Sequence, residues 1–239
     1  MEEEETKTNP TTTQDNVSNT DGASGCEALK PFRTYGWKPD PHLSVDDNLL
    51  DLLLIVTRSS TCRDGGMACI ITKQTKRQQD NETASPLSLF QSILAVATNR
   101  ALYSVNDSDL HAEVCALGAC ARHGHATEAC TAYITMPPCK KCLGSLVVSG
   151  IQTLVFPRHI PPYIQQVAAQ DHSNLTIVHK NDTEEWNQRR QRIQTLIETY
   201  QKEHPGEEGE IAKRRKQRKE EKQQRKQRKL EKDNAEPTK

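Results

Sequence analysis

His111-Ala112-Glu113 and Pro138-Cys139-Lys140-Lys141-Cys142, whose first cysteine lies 28 positions after the histidine, organise this chain. Together they offer one imidazole, two thiols and one carboxylate. His111, Cys139 and Cys142 satisfy three of the four positions that a zinc ion prefers, and the fourth stays open for water. The metal favours ionisation of that water near neutral pH. Glu113, two residues from the histidine, reads as the proton carrier rather than as a fourth ligand. Taken alone, the C-x-x-C pair also reads as a redox pair or half of a structural zinc site, and the H-x-E as the solvated start of a helix. A structural site wants a fourth protein ligand at a matching spacing, and no second C-x-x-C or H-x-x-x-H pair exists in the sequence. Order and spacing favour a catalytic zinc site.

Outward from these residues, Thr131–Met136 reads as a strand that ends at Pro137-Pro138, followed by a helix over 140–149 that Gly150 stops. Cys139 and Cys142 then lie at a helix N-terminus, where the dipole favours thiolate. On the other side, Ser108 or Asp109 is read as the cap of a helix with His111 in its first turn. Its inward stripe is predicted as Leu110, Val114, Leu117 and Ala121, and Gly124 as its stop. His123 and His125 flank that stop as a polar helix end. Cys115, Cys120 and Cys130 read as small buried apolar residues.

Upstream, Ser44 or Asp46 caps a helix whose apolar run, Leu49 to Val56, goes nearly all round and suits a helix covering a sheet. Asp64-Gly65-Gly66 breaks it, and Met67–Ile71 reads as a buried strand. The segment from Lys73 to Leu89 reads as a mobile insertion, and Ser92–Ala97 as a second strand antiparallel to the first. Downstream come a strand at Thr153–Phe156, a short helix over 163–169 and a strand at Leu175–Val178. Strands separated by helices are predicted to be parallel. The fold class is therefore α/β, three-layer α/β/α, with a mixed five-stranded sheet. Asp182 and Glu185 form a capping pair for a last helix with Trp186, Ile193, Leu196, Ile197 and Tyr200 on its apolar stripe. Arg189, Arg190 and Arg192 are read as sitting elsewhere on its surface.

Composition divides the 239 residues. Only 34% are hydrophobic, which implies that some of the chain does not fold. Residues 1–43 read as a disordered acidic tail in which Cys26 has no structural role. Residues 44–204 form the domain, and 205–239 a charged, mainly basic tail, disordered or helical. Lys213-Arg214-Arg215-Lys216 in that tail reads either as a solvated segment or as a nuclear-import or RNA-binding one. The start, Met1-Glu2-Glu3-Glu4-Glu5, does not resemble a secretory signal, and no stretch approaches the ~18 apolar residues of a membrane span. With eight cysteines and no such signal, a reducing compartment is expected, cytoplasmic or, through the basic tail, nuclear.

The H-x-E…P-C-x-x-C pattern resembles that of the cytidine and deoxycytidylate deaminase superfamily over about residues 48 to 180. Arg58-Ser59-Ser60-Thr61-Cys62 is similar to the R-S-x-C segment that opens deoxycytidylate deaminases, and Gly150-Ile151 before a Val-rich strand to their G-I-x-x-V. The resemblance implies strand order 2-1-3-4-5, Zn2+ on His111, Cys139 and Cys142, and Glu113 as proton shuttle. Asn99 matches the asparagine that contacts the substrate's sugar. Ala112 and the Pro137-Pro138 turn, with Pro138 before the first ligand cysteine, would wall the base pocket. Departures are Asp64 where an arginine usually stands, Ala97-Thr98-Asn99-Arg100 in place of G-Y-N-G, and no cysteine-bearing insertion before His111. Phosphate contacts and allosteric nucleotide control therefore do not carry over.

The implied activity is hydrolytic deamination of a cytosine nucleotide or nucleoside, deoxycytidylate-like, by a homo-oligomer with a small-molecule substrate. The alternative is a nucleic-acid editor such as a transfer-RNA adenosine deaminase, which would meet RNA through the basic tail. Met136-Pro137-Pro138-Cys139 lacks the glutamate common before P-C-x-x-C in the transfer-RNA enzymes. A catalytically silent subunit of an editing complex is the third reading, and the presence of Glu113 argues against it.

Overall fold

A computed structural model describes residues 26–62, 65–73, 86–104, 107–170, 174–180 and 184–205, with isolated positions between 213 and 228. The elements in chain order are α1 (Val45–Val56), β1 (Ala68–Thr72), α2 (Pro86–Ser92), β2 (Ile93–Thr98), α3 (Ala112–Arg122), β3 (Thr131–Ile134), α4 (Lys140–Val148), β4 (Thr153–Phe156), α5 (Pro162–Ala168), β5 (Thr176–His179) and α6 (Glu184–Glu203). The sheet order is β2-β1-β3-β4-β5. β1 runs antiparallel to both β2 and β3, while β3, β4 and β5 are parallel. The expected mixed five-stranded sheet is present in the expected order. No described helix is long and apolar enough to cross a membrane.

Alternation along the strands builds two cores. Ile70, Val96, Tyr133 and Val155 point to the face covered by α1 and α6, where they meet Leu49, Leu53, Trp186 and Ile193. Ile71, Ala132, Leu154 and Phe156 point to the opposite face, where α3, α4 and α5 bring Ala116, Leu146 and Ile164. Ser44 is the cap of α1, its hydroxyl accepting the Asp47 N–H at 3.1 Å. Gly124 and Gly150 both have positive φ. At Gly150 a Cβ would stand 2.9 Å from Cα of Glu128, so this turn into β4 admits glycine alone.

Three expectations are corrected. Order begins before Ser44: Cys26, Leu29 and Trp37 are buried in the α1–α6 core, and the Trp37 ring meets Phe90 edge-on at 6.3 Å. Their apolar side chains are too sparse to show a period, so the sequence hides them. The stretch read as an insertion ends in α2, where Leu89 is buried; residues 74–85 lie outside those described, as do Asp64 and Asp182. Arg189 is not a surface residue. It is buried against α1, donating to Asp51 at 2.8 Å and to Asp47 at 2.7 Å, with its guanidinium 5.3 Å from the Trp186 ring centroid. Arg192 adds a longer contact to Asp51 at 3.4 Å.

Burial pushes the Asp51 carboxyl above its ordinary range even with both arginines beside it. Removing Arg189 should therefore be severe. Arg189→Ala is expected to cost about 3–5 kcal/mol of unfolding free energy, because it strands a buried carboxylate. Denaturant unfolding checks this, and a loss below ~1 kcal/mol would mean that the pair does not hold α6 to the domain.

Candidate metal and catalytic site

Two helix N-termini converge at one end of the sheet. His111 is the N-cap of α3 and Cys139 the N-cap of α4, both in extended conformation, with Cys142 in the first turn of α4. The positive ends of both helix dipoles thus face one point, which favours anionic ligands there. His111 Nδ1 lies 3.7 Å from Cys139 Sγ and 3.4 Å from Cys142 Sγ, and the three donor atoms all lie within 4.8 Å of one another. Zinc bonded tetrahedrally to nitrogen and sulfur at the usual lengths sets such donors about 3.6 Å apart. The donor set and its spacing fit a zinc ion. Among the described residues no fourth protein donor joins the cluster. Burial, then the nearby Glu113, pushes the Cys142 thiol far above its ordinary value, so a bound cation is what would make this thiolate stable.

Glu113 lies in the first turn of α3 and is 6% exposed. Burial raises its carboxyl above the ordinary range, against the lowering influence of its own N–H and of His111. The expected inward stripe of α3 holds only in part, with Leu117 packed against the core. Ala112, Glu113, Ala116 and Cys120 are buried, whereas Val114 and Ala121 are exposed. Small side chains let the helix approach β1 and β2 closely, and that approach brings Glu113 inside. Cys120 and Cys130 are buried as read, and burial lifts the Cys120 thiol to about 11.

Neither Ser108 nor Asp109 caps α3. The carboxylate of Asp109 instead accepts N–H groups of the preceding loop, and the Ser108 hydroxyl meets Asn99. Asn99, matched in the sequence to the asparagine that contacts the substrate's sugar, is engaged here by its own neighbours. It is 2% exposed, and its side-chain oxygen accepts from the Ser60 hydroxyl at 2.7 Å and the Met67 N–H at 2.9 Å. Its amide nitrogen donates to the Gly65 carbonyl at 3.1 Å and to Ser108 Oγ at 3.0 Å. Two acceptor and two donor positions are all an asparagine has. Asn99 therefore ties the approach to β1 onto the end of β2.

Ala112 is fully buried, and Pro138 is buried at the turn before Cys139. The Tyr163 hydroxyl donates to the Pro138 carbonyl and fixes that turn. Burial raises the Tyr163 hydroxyl, and the charges of Cys139 and Glu113 add to this, placing the ring beside the cluster. Tyr163 was not singled out in the sequence, although Pro161-Pro162 marks a helix start with Tyr163 in its first turn.

Residues 72–201 match the profile of the MafB19-like deaminases. The deoxycytidylate deaminase of Enterobacteria phage T2 is 39% identical over 49 residues, which are 20% of this chain and 26% of that protein. The phage T4 enzyme matches at the same identity over 49 residues, 25% of its length. The chain thus spans about a quarter of the length of these curated relatives. Among solved structures, the dCMP deaminase of cyanophage S-TIM5 in apo form aligns with a TM-score of 0.42 at 15% identity, covering 56% of this chain and 96% of that one. A guanine deaminase from Nitrosomonas europaea aligns with a TM-score of 0.43 at 18% identity, covering 66% of this chain and 85% of that one. The profile takes in the whole His111–Cys142 cluster and more than half of the 239 residues, and the chain belongs to the MafB19-like deaminase family.

Proposed function

We propose that this chain is a zinc-dependent hydrolase that deaminates a cytosine nucleotide or nucleoside, with deoxycytidylate as the leading substrate. The observation that carries this reading is the buried carboxylate of Glu113 beside a three-donor cluster with no fourth protein ligand among the described residues. His111, Cys139 and Cys142 would hold zinc, which when bound supplies a Lewis acid that makes water acidic enough to act as a nucleophile near neutral pH. Glu113 takes a proton from the attacking water as its oxygen bonds to the amino-bearing carbon of the base. Glu113 gives that proton to the adjacent ring nitrogen and carries the second to the amino group, which leaves as ammonia. Ala112 and Pro138 wall the base pocket, and Tyr163 keeps the Pro138 turn in place. The family resemblance supports a homo-oligomer.

A transfer-RNA editor is the second reading, supported by the basic run beginning at Lys213. Ammonia release from deoxycytidylate, cytidylate, cytidine and transfer RNA separates the two, measured on the full chain and on a chain ending at Gly206 at two salt concentrations. Full activity of the shortened chain on a cytosine mononucleotide, with none on transfer RNA, is the expected result, because a small molecule is enclosed by the pocket alone. Activity confined to RNA, lost with the tail and suppressed by salt, would replace the mononucleotide reading with the editor.

A further inference from the structure

Of the two cysteines in the metal cluster, one is held by packing and the other is not. Cys142 is 3% exposed in the first turn of α4, whereas Cys139 is exposed. Core contacts therefore fix where Cys142 presents its sulfur, while Cys139 depends on its backbone. That backbone is pinned from α5. The Tyr163 hydroxyl donates to the Pro138 carbonyl at 2.5 Å, across 25 positions of chain. The Pro138 carbonyl and the N–H and Cα of Cys139 lie in one peptide plane. A bond that fixes this oxygen therefore fixes the plane from which the Cys139 side chain departs. Tyr163 is itself firmly seated. Pro161 and Pro162 restrict the entry to α5, and the neighbouring Ile164 is fully buried in the core with Leu143 and Leu146. The Lys140 ammonium stands over the Tyr163 ring, 6.0 Å from its centroid. Tyr163 thus engages the residues on both sides of Cys139.

We propose that Tyr163 is a positioning residue of the metal site, holding the Pro138–Cys139 peptide so that the Cys139 thiolate is already aimed at the zinc ion when it binds. The proposal rests on His111, Cys139 and Cys142 being the ligand set. Freed of this bond, the turn would sample other orientations of the exposed Cys139, and metal binding would have to order it. Loss of an outer partner of this kind typically costs about 10–100-fold in metal affinity. Through one hydrogen bond, a helix that carries none of the three ligands contributes to zinc affinity.

The test uses the full chain with zinc alone as the probe. Tyr163→Phe keeps the ring and removes the hydroxyl. Its zinc affinity, from competition with a chromophoric chelator, is expected to fall about tenfold, and zinc should raise its melting temperature less than that of wild type. With cobalt(II) in place of zinc, the visible absorption of the site should change as Cys139 takes up a different orientation. Ile164→Val is the control. It loosens the packing of α5 next to Tyr163, so it should melt earlier with and without metal. It should keep zinc affinity within about twofold and the cobalt spectrum of wild type. An unchanged zinc affinity in Tyr163→Phe overturns the proposal and leaves the ligand set standing. An equal fall in both variants also overturns it, since Tyr163 would then merely help to pack α5. No zinc bound by wild type overturns the ligand set, and this proposal with it.

Discussion

Glu113→Gln is expected to keep its zinc and its fold and to lose turnover by more than the ~10²–10⁴-fold typical of one general acid–base step, because a single carboxylate serves several proton transfers here. Glutamine keeps the shape and hydrogen-bonding reach of the side chain but holds no exchangeable carboxyl proton. The native environment raises the Glu113 carboxyl through burial. In the metal-free chain the folded state therefore keeps this proton to higher pH than the unfolded state does. Stability from this group is present below its unfolded pKa and is lost as pH rises through the folded one. Metal-free Glu113→Gln should thus unfold at or above the wild-type temperature at neutral pH, and the two should converge in acid. Ammonia release, metal analysis and thermal unfolding decide the case together. Activity within tenfold of wild type would assign the proton transfers to another group.

Cys142→Ser is expected to remove the metal altogether. Cys142 is buried in the first turn of α4, and its sulfur lies 3.4 Å from His111 Nδ1. Serine is a harder, less acidic ligand, and a site left with His111 and Cys139 has too few donors for tight binding. Because the cluster joins the start of α3 to the start of α4, metal binding contributes directly to folding free energy. The wild-type chain should carry one zinc and melt earlier after chelation. The variant should carry none, melt near the chelated wild type and ignore chelator. Cys139→Ser should behave alike. One zinc per chain retained in both variants would remove these cysteines from the ligand set.

Most of the sheet was readable in the sequence, because each strand is a short apolar run bounded by glycine, proline or a polar cluster. β1, for example, follows Gly65-Gly66, and β3 ends before Pro137-Pro138. The site was readable because metal ligation fixes residue type and spacing together. His111, Cys139 and Cys142 meet as the motif requires. What the sequence concealed depends on partners distant along the chain. Asn99 is saturated by Ser60, Met67, Gly65 and Ser108, groups that only the folded β1–β2 edge brings together. Arg189 reads as a solvated charge until Asp47 and Asp51 of α1 are placed beneath it. The inward face of α3 was misjudged because larger residues such as Val114 were taken to mark the core. Close packing instead selects alanine and cysteine.

The two faces of the sheet are finished at different moments of synthesis. The core beneath α3, α4 and α5 draws its buried residues from Cys69 to Leu175. The opposite core needs Leu29 near the start of the described chain and Ile197 in α6 at once. Because domains tend to fold as they emerge from the ribosome, the half that carries the His111, Cys139 and Cys142 cluster has all its buried residues in the nascent chain first. The half that braces it waits for α6. In the interval α1 offers uncovered leucines, which makes the C-terminal helix the step that turns a nascent, aggregation-prone intermediate into a finished domain.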